Sequence, residues 1–231
     1  MPSLFVTGTD TGVGKTTISA SLLASWRARE KRVAALKPVE TGCYRNECGE
    51  LFPADGFLLR EACGLSELPL DAIVPYRFIA PVAPSVAARM VNSRVELPRI
   101  LEAAENLAQR CPDMLLIEGA GGLLVPYSED LLGVDIARAL DASLLIVARA
   151  SLGTINHTLL TIREARRQGL KIAGVVLNQV HPETGPDHST NAQEIERIGE
   201  VPVIGTVPYL RDPMRASPNL LAKAAHELLS A

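Results

Sequence analysis

The run Gly8-Thr9-Asp10-Thr11-Gly12-Val13-Gly14-Lys15-Thr16 places glycines, a lysine and a hydroxyl where phosphate chemistry needs them. It follows a short apolar run, Leu4-Phe5-Val6, and precedes a segment with helical spacing. Strand, glycine loop, Gly-Lys-Thr, helix is the context of a phosphate-binding loop. Backbone N–H groups of such a loop, with the positive end of the following helix, surround a triphosphate. Lys15 then reaches the β- and γ-phosphates, and the Thr16 hydroxyl reaches Mg²⁺. Five residues separate Gly8 from Gly14, where the common form has four.

Leu115-Leu116-Ile117-Glu118 is an apolar strand ending in a carboxylate, followed by Gly119-Ala120-Gly121-Gly122. The second acidic element of phosphate-loop enzymes has this form and orients Mg²⁺. Its glycines let a backbone approach a ligand closely. Lys37-Pro38-Val39-Glu40-Thr41-Gly42 is a second cluster. The proline keeps Lys37 extended, so the sequence predicts a fixed positive charge in the crevice, suited to a transferring phosphoryl group. Thr41 is a candidate substrate hydrogen-bonding group. Asp55 is a metal ligand or a helix cap on pattern alone. Asn178, at a strand end, reads a base edge or makes a turn. His157, His181, His188 and His226 show no metal-ligand spacing, and no serine or cysteine nucleophile signature is present.

These residues need a frame. Short apolar strands alternate with helical patterns, which predicts an α/β fold with a mostly parallel sheet and helices on both faces. The strands are placed at Leu4 to Thr7, Val33 to Lys37, Met114 to Glu118, Leu144 to Ala148, Ile172 to Asn178 and Val203 to Thr206. The first helix runs from Thr16 to about Arg29, with Ile18, Leu22, Leu23 and Trp26 at helical spacing. Further helices are placed at Asp55 to Cys63, Pro84 to Val91, Leu97 to Cys111, Asn156 to Gln168, Thr190 to Ile198 and Pro218 to Ser230; Val180 to Ser189 reads as a surface loop. Ligands of an open parallel sheet bind beyond the carboxyl ends of its strands. The glycine loop, Lys37 to Gly42, Glu118 to Gly122, Asn178 and Pro208-Tyr209-Leu210 should therefore open on one edge.

The 231 residues fit one domain spanning 1–231, with 47% apolar residues for its core and a net charge of −3. No basic arm points to nucleic acid, and no apolar run approaches membrane-spanning length. Cys43, Cys48, Cys63 and Cys111 match no common zinc pattern. No secretion signal precedes the first strand, so a reducing, cytoplasmic setting is expected.

Together, the glycine loop, Lys37-Pro38-Val39, Glu118-Gly119-Ala120-Gly121-Gly122 and Gly153-Thr154-Ile155-Asn156-His157 resemble the dethiobiotin synthetase family, in order and across nearly the whole chain. The resemblance implies closure of a cyclic urea from 7,8-diaminononanoate, CO₂ and ATP with Mg²⁺, through a carbamate and a carbamic–phosphoric anhydride. It implies catalytic roles for Lys15 and Lys37. It implies nucleotide contacts from Gly12, Val13, Gly14, Lys15, Thr16 and Thr17, from Asp55, and from Glu118, Gly119, Ala120 and Gly121. Asn178, Pro208, Tyr209 and Leu210 would form the base pocket. Thr16, Asp55 and Glu118 would surround the metal. Thr11, Lys37 and Thr41 would line the diamine and carbamate site. Gly153, Thr154, Ile155 and Asn156 would hold the substrate carboxylate across a homodimer interface. Position 12 is Gly where some relatives carry Glu.

Other enzymes and switches use the same architecture. Cobyrinic acid amidating enzymes add a glutaminase domain, for which 231 residues leave no room. Chromosome-partition and division-site ATPases carry an additional lysine near the start of the loop, where this chain has Thr9 and Asp10. A regulatory domain that had lost the reaction would not need Lys15, Lys37 and Glu118.

Overall fold

In the computed structural model, which describes residues 2–182, 190–212 and 221–230, six parallel strands form the central sheet. In chain order the elements are β1 (Ser3–Gly8), α1 (Lys15–Arg27), β2 (Val33–Leu36), β3 (Val39–Thr41), β4 (Tyr44–Arg45), β5 (Leu51–Phe52) and α2 (Ala54–Cys63). Then come α3 (Leu70–Ile73), β6 (Tyr76–Phe78), α4 (Pro84–Met90), α5 (Leu97–Arg110), β7 (Met114–Gly122) and α6 (Gly133–Ala139). The chain continues through β8 (Ser143–Arg149), α7 (Thr154–Arg167), β9 (Ile172–Asn178), α8 (Asn191–Gly199), β10 (Val203–Val207) and α9 (Ala222–Ser230). The sheet order is β10-β9-β8-β1-β7-β2, so β1, with its glycine loop, lies near the centre.

Strand side chains alternate between two cores, as a period of two requires. Phe5, Leu115, Ile117, Leu144 and Ile146 pack on one face, with Ile100 and Leu107 of α5 and Ile162 of α7. Leu4, Val6, Leu116, Leu145 and Val147 pack on the other, with Ile18, Leu22 and Trp26 of α1 and Leu59 of α2. Trp26 is fully buried, and its indole N–H donates to the Ala225 carbonyl at 2.7 Å. That bond ties α9 to α1 and satisfies the buried indole N–H.

The six expected strands are present with small shifts at their ends. β7 differs most, because it does not stop at Glu118. It runs to Gly122, which pairs with Gly8 after a register shift that follows Val6. A Cβ on Gly119 would lie 2.8 Å from Phe5, so only glycine lets the strand continue there. The helix expected from Asn156 begins at Thr154, capped by Gly153 in the left-handed region. Pro53, just outside α2, takes the N-cap position, and Asp55 sits inside the first turn. β3 to β6, α3 and α6 have two to seven residues each, too short to display a period. Residues 183–189 of the expected loop and 218–220 of the expected last helix lie outside the described residues. Among the described residues, no helix is long and apolar enough to cross a membrane.

Candidate active site

The glycine loop bends onto α1 through Gly14, whose φ of 91° places it in the left-handed region at the N-cap. No side chain caps that helix start. The first N–H groups of a helix lack intrahelical partners, and the helix dipole favours an anion there. Lys15 is 8% exposed and its ammonium donates to the Asp10 carbonyl at 3.3 Å, folding back over the loop. Burial draws its pKa down, although Glu118 opposes the shift. Asp10 also pairs with Arg149 at the end of β8, which ties the loop to the neighbouring strand.

Lys37, one residue past β2, is 5% exposed. Its ammonium lies 2.6 Å from Glu118 Oε1 and 2.5 Å from Asp55 Oδ2. Lys37 is thus fixed between two carboxylates, contacts that the sequence pattern alone does not specify. Burial alone would draw its pKa down, but Glu118 and then Asp55 outweigh that and hold it well above the ordinary lysine range. Asp55 shows the complement: burial would raise its pKa, but Lys37 outweighs this and lowers it. Glu118 is fully buried, and its Oε1 also accepts from the Thr16 hydroxyl at 2.9 Å. Its second oxygen has no hydrogen-bond partner among the described residues.

A cavity of about 580 Å³ opens over these groups. Thr11, Gly12, Gly14, Lys15, Thr16 and Thr17 line it from the loop and α1. Lys37, Thr41, Asp55, Glu118, Gly119, Ala120 and Gly121 line it from the neighbouring strands and α2. Asn178, Tyr209 and Leu210 also line it. Val13 is buried behind the loop and Pro208 is exposed outside the cavity, so neither lines it. Gly153, Thr154, Ile155 and Asn156 do not line it either. They form the start of α7, where Asn156 is exposed, Thr154 is buried and the preceding Leu152 is 88% exposed.

Two side chains with no assigned role in the sequence shape the site. Tyr127 is fully buried, and its hydroxyl oxygen accepts from the Ala120 N–H at 2.7 Å. Glu40, on β3, accepts from the N–H groups of Asp55 and Gly56 at 3.1 and 2.9 Å. It is a cap supplied from another element, for a helix start whose own N-cap residue gives none. The sequence signal was an acid between Val39 and Thr41 in a motif already singled out.

Glu40 also carries a pH dependence. Burial pushes its carboxyl from the ordinary 4.5 up to about 7, against the pull of Lys37. Between those values the folded protein keeps a proton that the unfolded chain has released. The resulting stability is fully present below about pH 4.5 and is lost as pH rises through about 7. Up to about 3 kcal/mol is at stake. Glu40→Gln is expected to flatten this decline in urea titrations across that range. An unchanged slope would acquit Glu40.

A nucleotide-phosphate loop at the carboxyl edge of a parallel sheet, with an acidic strand end beside it, defines the P-loop nucleoside-triphosphatase class. The matching family model, described as an AAA domain, covers residues 2–217. The ATP-dependent dethiobiotin synthetase BioD of Anaeromyxobacter dehalogenans strain 2CP-C is 46% identical over 215 residues, 93% of each chain. That of Anaeromyxobacter sp. strain K is 44% identical, covering 95% of this chain and 96% of its own. The chain belongs to the dethiobiotin synthetase family. The MinC:MinD cell division protein complex of Aquifex aeolicus matches over 100% of this chain and 97% of that chain, with a TM-score of 0.61 and 16% identity. At that identity the likeness concerns fold alone.

Proposed function

We propose that this chain, as one domain acting in a homodimer, closes 7,8-diaminononanoate and CO₂ into dethiobiotin at the expense of ATP, in the cytoplasm and without nucleic acid or membrane. The observation that carries the reading is the meeting of Lys15, Lys37, Glu118, Asp55 and Thr16 in one cavity. An amine of the substrate adds to CO₂ and loses a proton, giving a carbamate. A carbamate oxygen attacks the γ-phosphorus, the bond to the β-phosphate oxygen breaks, and ADP leaves. The second amine then attacks the carbamoyl carbon and expels phosphate, forming the second C–N bond of the ring.

Both reactants of the phosphoryl step are anions, so cations must bring them together. The N–H groups at the start of α1 and the Lys15 ammonium bind the phosphates. Lys37 and the hydroxyls of Thr11 and Thr41 line the diamine and carbamate end. Lys37 answers the charge that grows on the transferring group, and Glu118 and Asp55 keep it protonated and aimed. Tyr209 and Leu210, with Asn178, enclose the base.

The donor set suits a magnesium ion. Thr16, Asp55 and Glu118 offer hard oxygens, and one oxygen of Glu118 is buried without a partner. Among the described residues no three His, Cys, Asp or Glu side chains form a ready metal cage. A magnesium ion is usually held by one or two carboxylates plus substrate phosphates. When bound, Mg²⁺ neutralises charge on the β- and γ-phosphates.

The test is product formation. With diamine, bicarbonate and MgATP, mass spectrometry is expected to find the cyclic urea, with one ADP formed per ring. Tight nucleotide binding without any urea would overturn the proposal and favour a switch.

A further inference from the structure

Asn178 ends β9 with its backbone locked from both sides. Its carbonyl accepts from the Ala150 N–H at 2.9 Å, and its neighbours in register are Arg149 of β8 and Val207 of β10. The side chain is 6% exposed. Its carboxamide nitrogen donates to the Val13 carbonyl at 2.9 Å. A carbonyl only accepts, so the orientation of the amide is settled by its partner. The fit is close. A Cβ on Gly14 would lie 2.1 Å from that same nitrogen.

A trans peptide points its C=O and N–H in opposite directions. Holding the Val13 oxygen toward β9 therefore turns the Gly14 N–H the other way. In the flipped peptide the carbonyl would take the place of that N–H and repel an anion. Glycine at φ 91° has the freedom to make such a flip, and α1 begins immediately after it with no side-chain cap to resist it.

We propose that Asn178 is a positioning residue for the phosphate loop: by fixing the Val13–Gly14 peptide it keeps the loop's N–H groups, rather than a carbonyl, facing the phosphates. The role is separate from reading the base, and it rests on the nucleotide-binding part of the proposed function. It makes a distinct demand, because a ligand with no base must feel the loss of Asn178.

Inorganic tripolyphosphate is the probe, with ATP alongside, both measured by calorimetry on the full chain. Asn178→Ala is expected to weaken tripolyphosphate binding about tenfold, the cost of one buried hydrogen bond whose acceptor is left behind. Asn178→Leu keeps the side-chain bulk without the donor and is expected to lose as much, which separates the bond from a packing defect. Gly14→Ala is expected to cost less in the Asn178→Ala background than alone, since the obstructing nitrogen is gone. A loss confined to ATP, with tripolyphosphate unchanged, would make Asn178 a base reader only and overturn the inference. Additive losses in the Gly14 and Asn178 pair would overturn the coupling. Failure of the unaltered protein to bind either ligand would sink the nucleotide reading itself, an outcome separable from the other two.

Discussion

Replacing Lys37 with alanine is expected to lower turnover about 10²–10³-fold, the loss typical when a preorganised group facing transition-state charge is removed. It is also expected to destabilise the fold. Glu118 is fully buried, and Lys37 is its ion-pair partner, 2.6 Å away. Removing one partner of a buried pair costs about 3–5 kcal/mol, because the other is left uncompensated. For a chain of this size that lowers the melting temperature by about 6–20 °C. The Asp55 side chain is 39% exposed, so its share of the effect is small. Nucleotide affinity should change far less than turnover, since the charge that Lys37 answers develops late. A second variant separates the two effects. Lys37→Met with Glu118→Gln removes both charges and keeps both shapes, so stability should return while turnover does not. Steady-state kinetics and thermal melts on the two variants check this. Unchanged turnover in Lys37→Ala would remove the residue from the mechanism.

The carboxylate–lysine cluster shows where sequence reading reaches and where it stops. Glu118 and Lys37 each follow an apolar strand run, and such runs are legible because four or more buried residues in a row are hard to mistake. The parallel arrangement then brings all such ends to one edge, so Lys15, Lys37, Glu118 and Asn178 could be assembled without coordinates. Their mutual distances could not. That Lys37 lies between Asp55 and Glu118 depends on how α2 docks against β3. That docking depends on Glu40, which accepts two N–H bonds from the first turn of α2. None of these contacts has a local signature, because the partners lie 15 to 81 residues apart in sequence. Asn178 is a similar case. Its position at a strand end was plain, but its bond to Val13 spans 165 residues. The short elements β3 to β6 escaped for a different reason: two or three residues cannot show an alternation.

The lysine pair also explains how one cavity treats two cations differently. Among the described residues Lys15 faces the glycine loop with a backbone carbonyl as its hydrogen-bond partner, and burial lowers its pKa. Lys37 is more deeply enclosed, yet two carboxylates hold its pKa high. A phosphate arriving at the loop supplies Lys15 with the anion it lacks. Lys37 has its anions already, so it stays charged and fixed before any substrate binds. Preorganisation of that kind lowers the cost of reorienting charge during the reaction.

Activity is expected to return when two inactive variants, Lys37→Ala and Asn156→Ala, are mixed and allowed to exchange subunits. Gly153 to Asn156 lie outside the cavity of their own chain. They nevertheless carry the marks of an anion site: Gly153 caps α7 with a φ of 91° and no side-chain cap, and the Thr154 hydroxyl is buried without a partner. Leu152 and Leu160 stand 88% and 57% exposed nearby, apolar surface that an isologous interface would cover. If the start of α7 serves the partner's cavity, each hybrid dimer has one site with both defects and one with neither. Random exchange at equal concentrations makes half the dimers hybrid, so about one quarter of the original activity should reappear. Each variant alone should stay near zero at every concentration. Exchange confirmed by mass spectrometry without any recovery would mean that each site is complete within one chain, and the substrate carboxylate would then have to be held by groups lining the cavity itself.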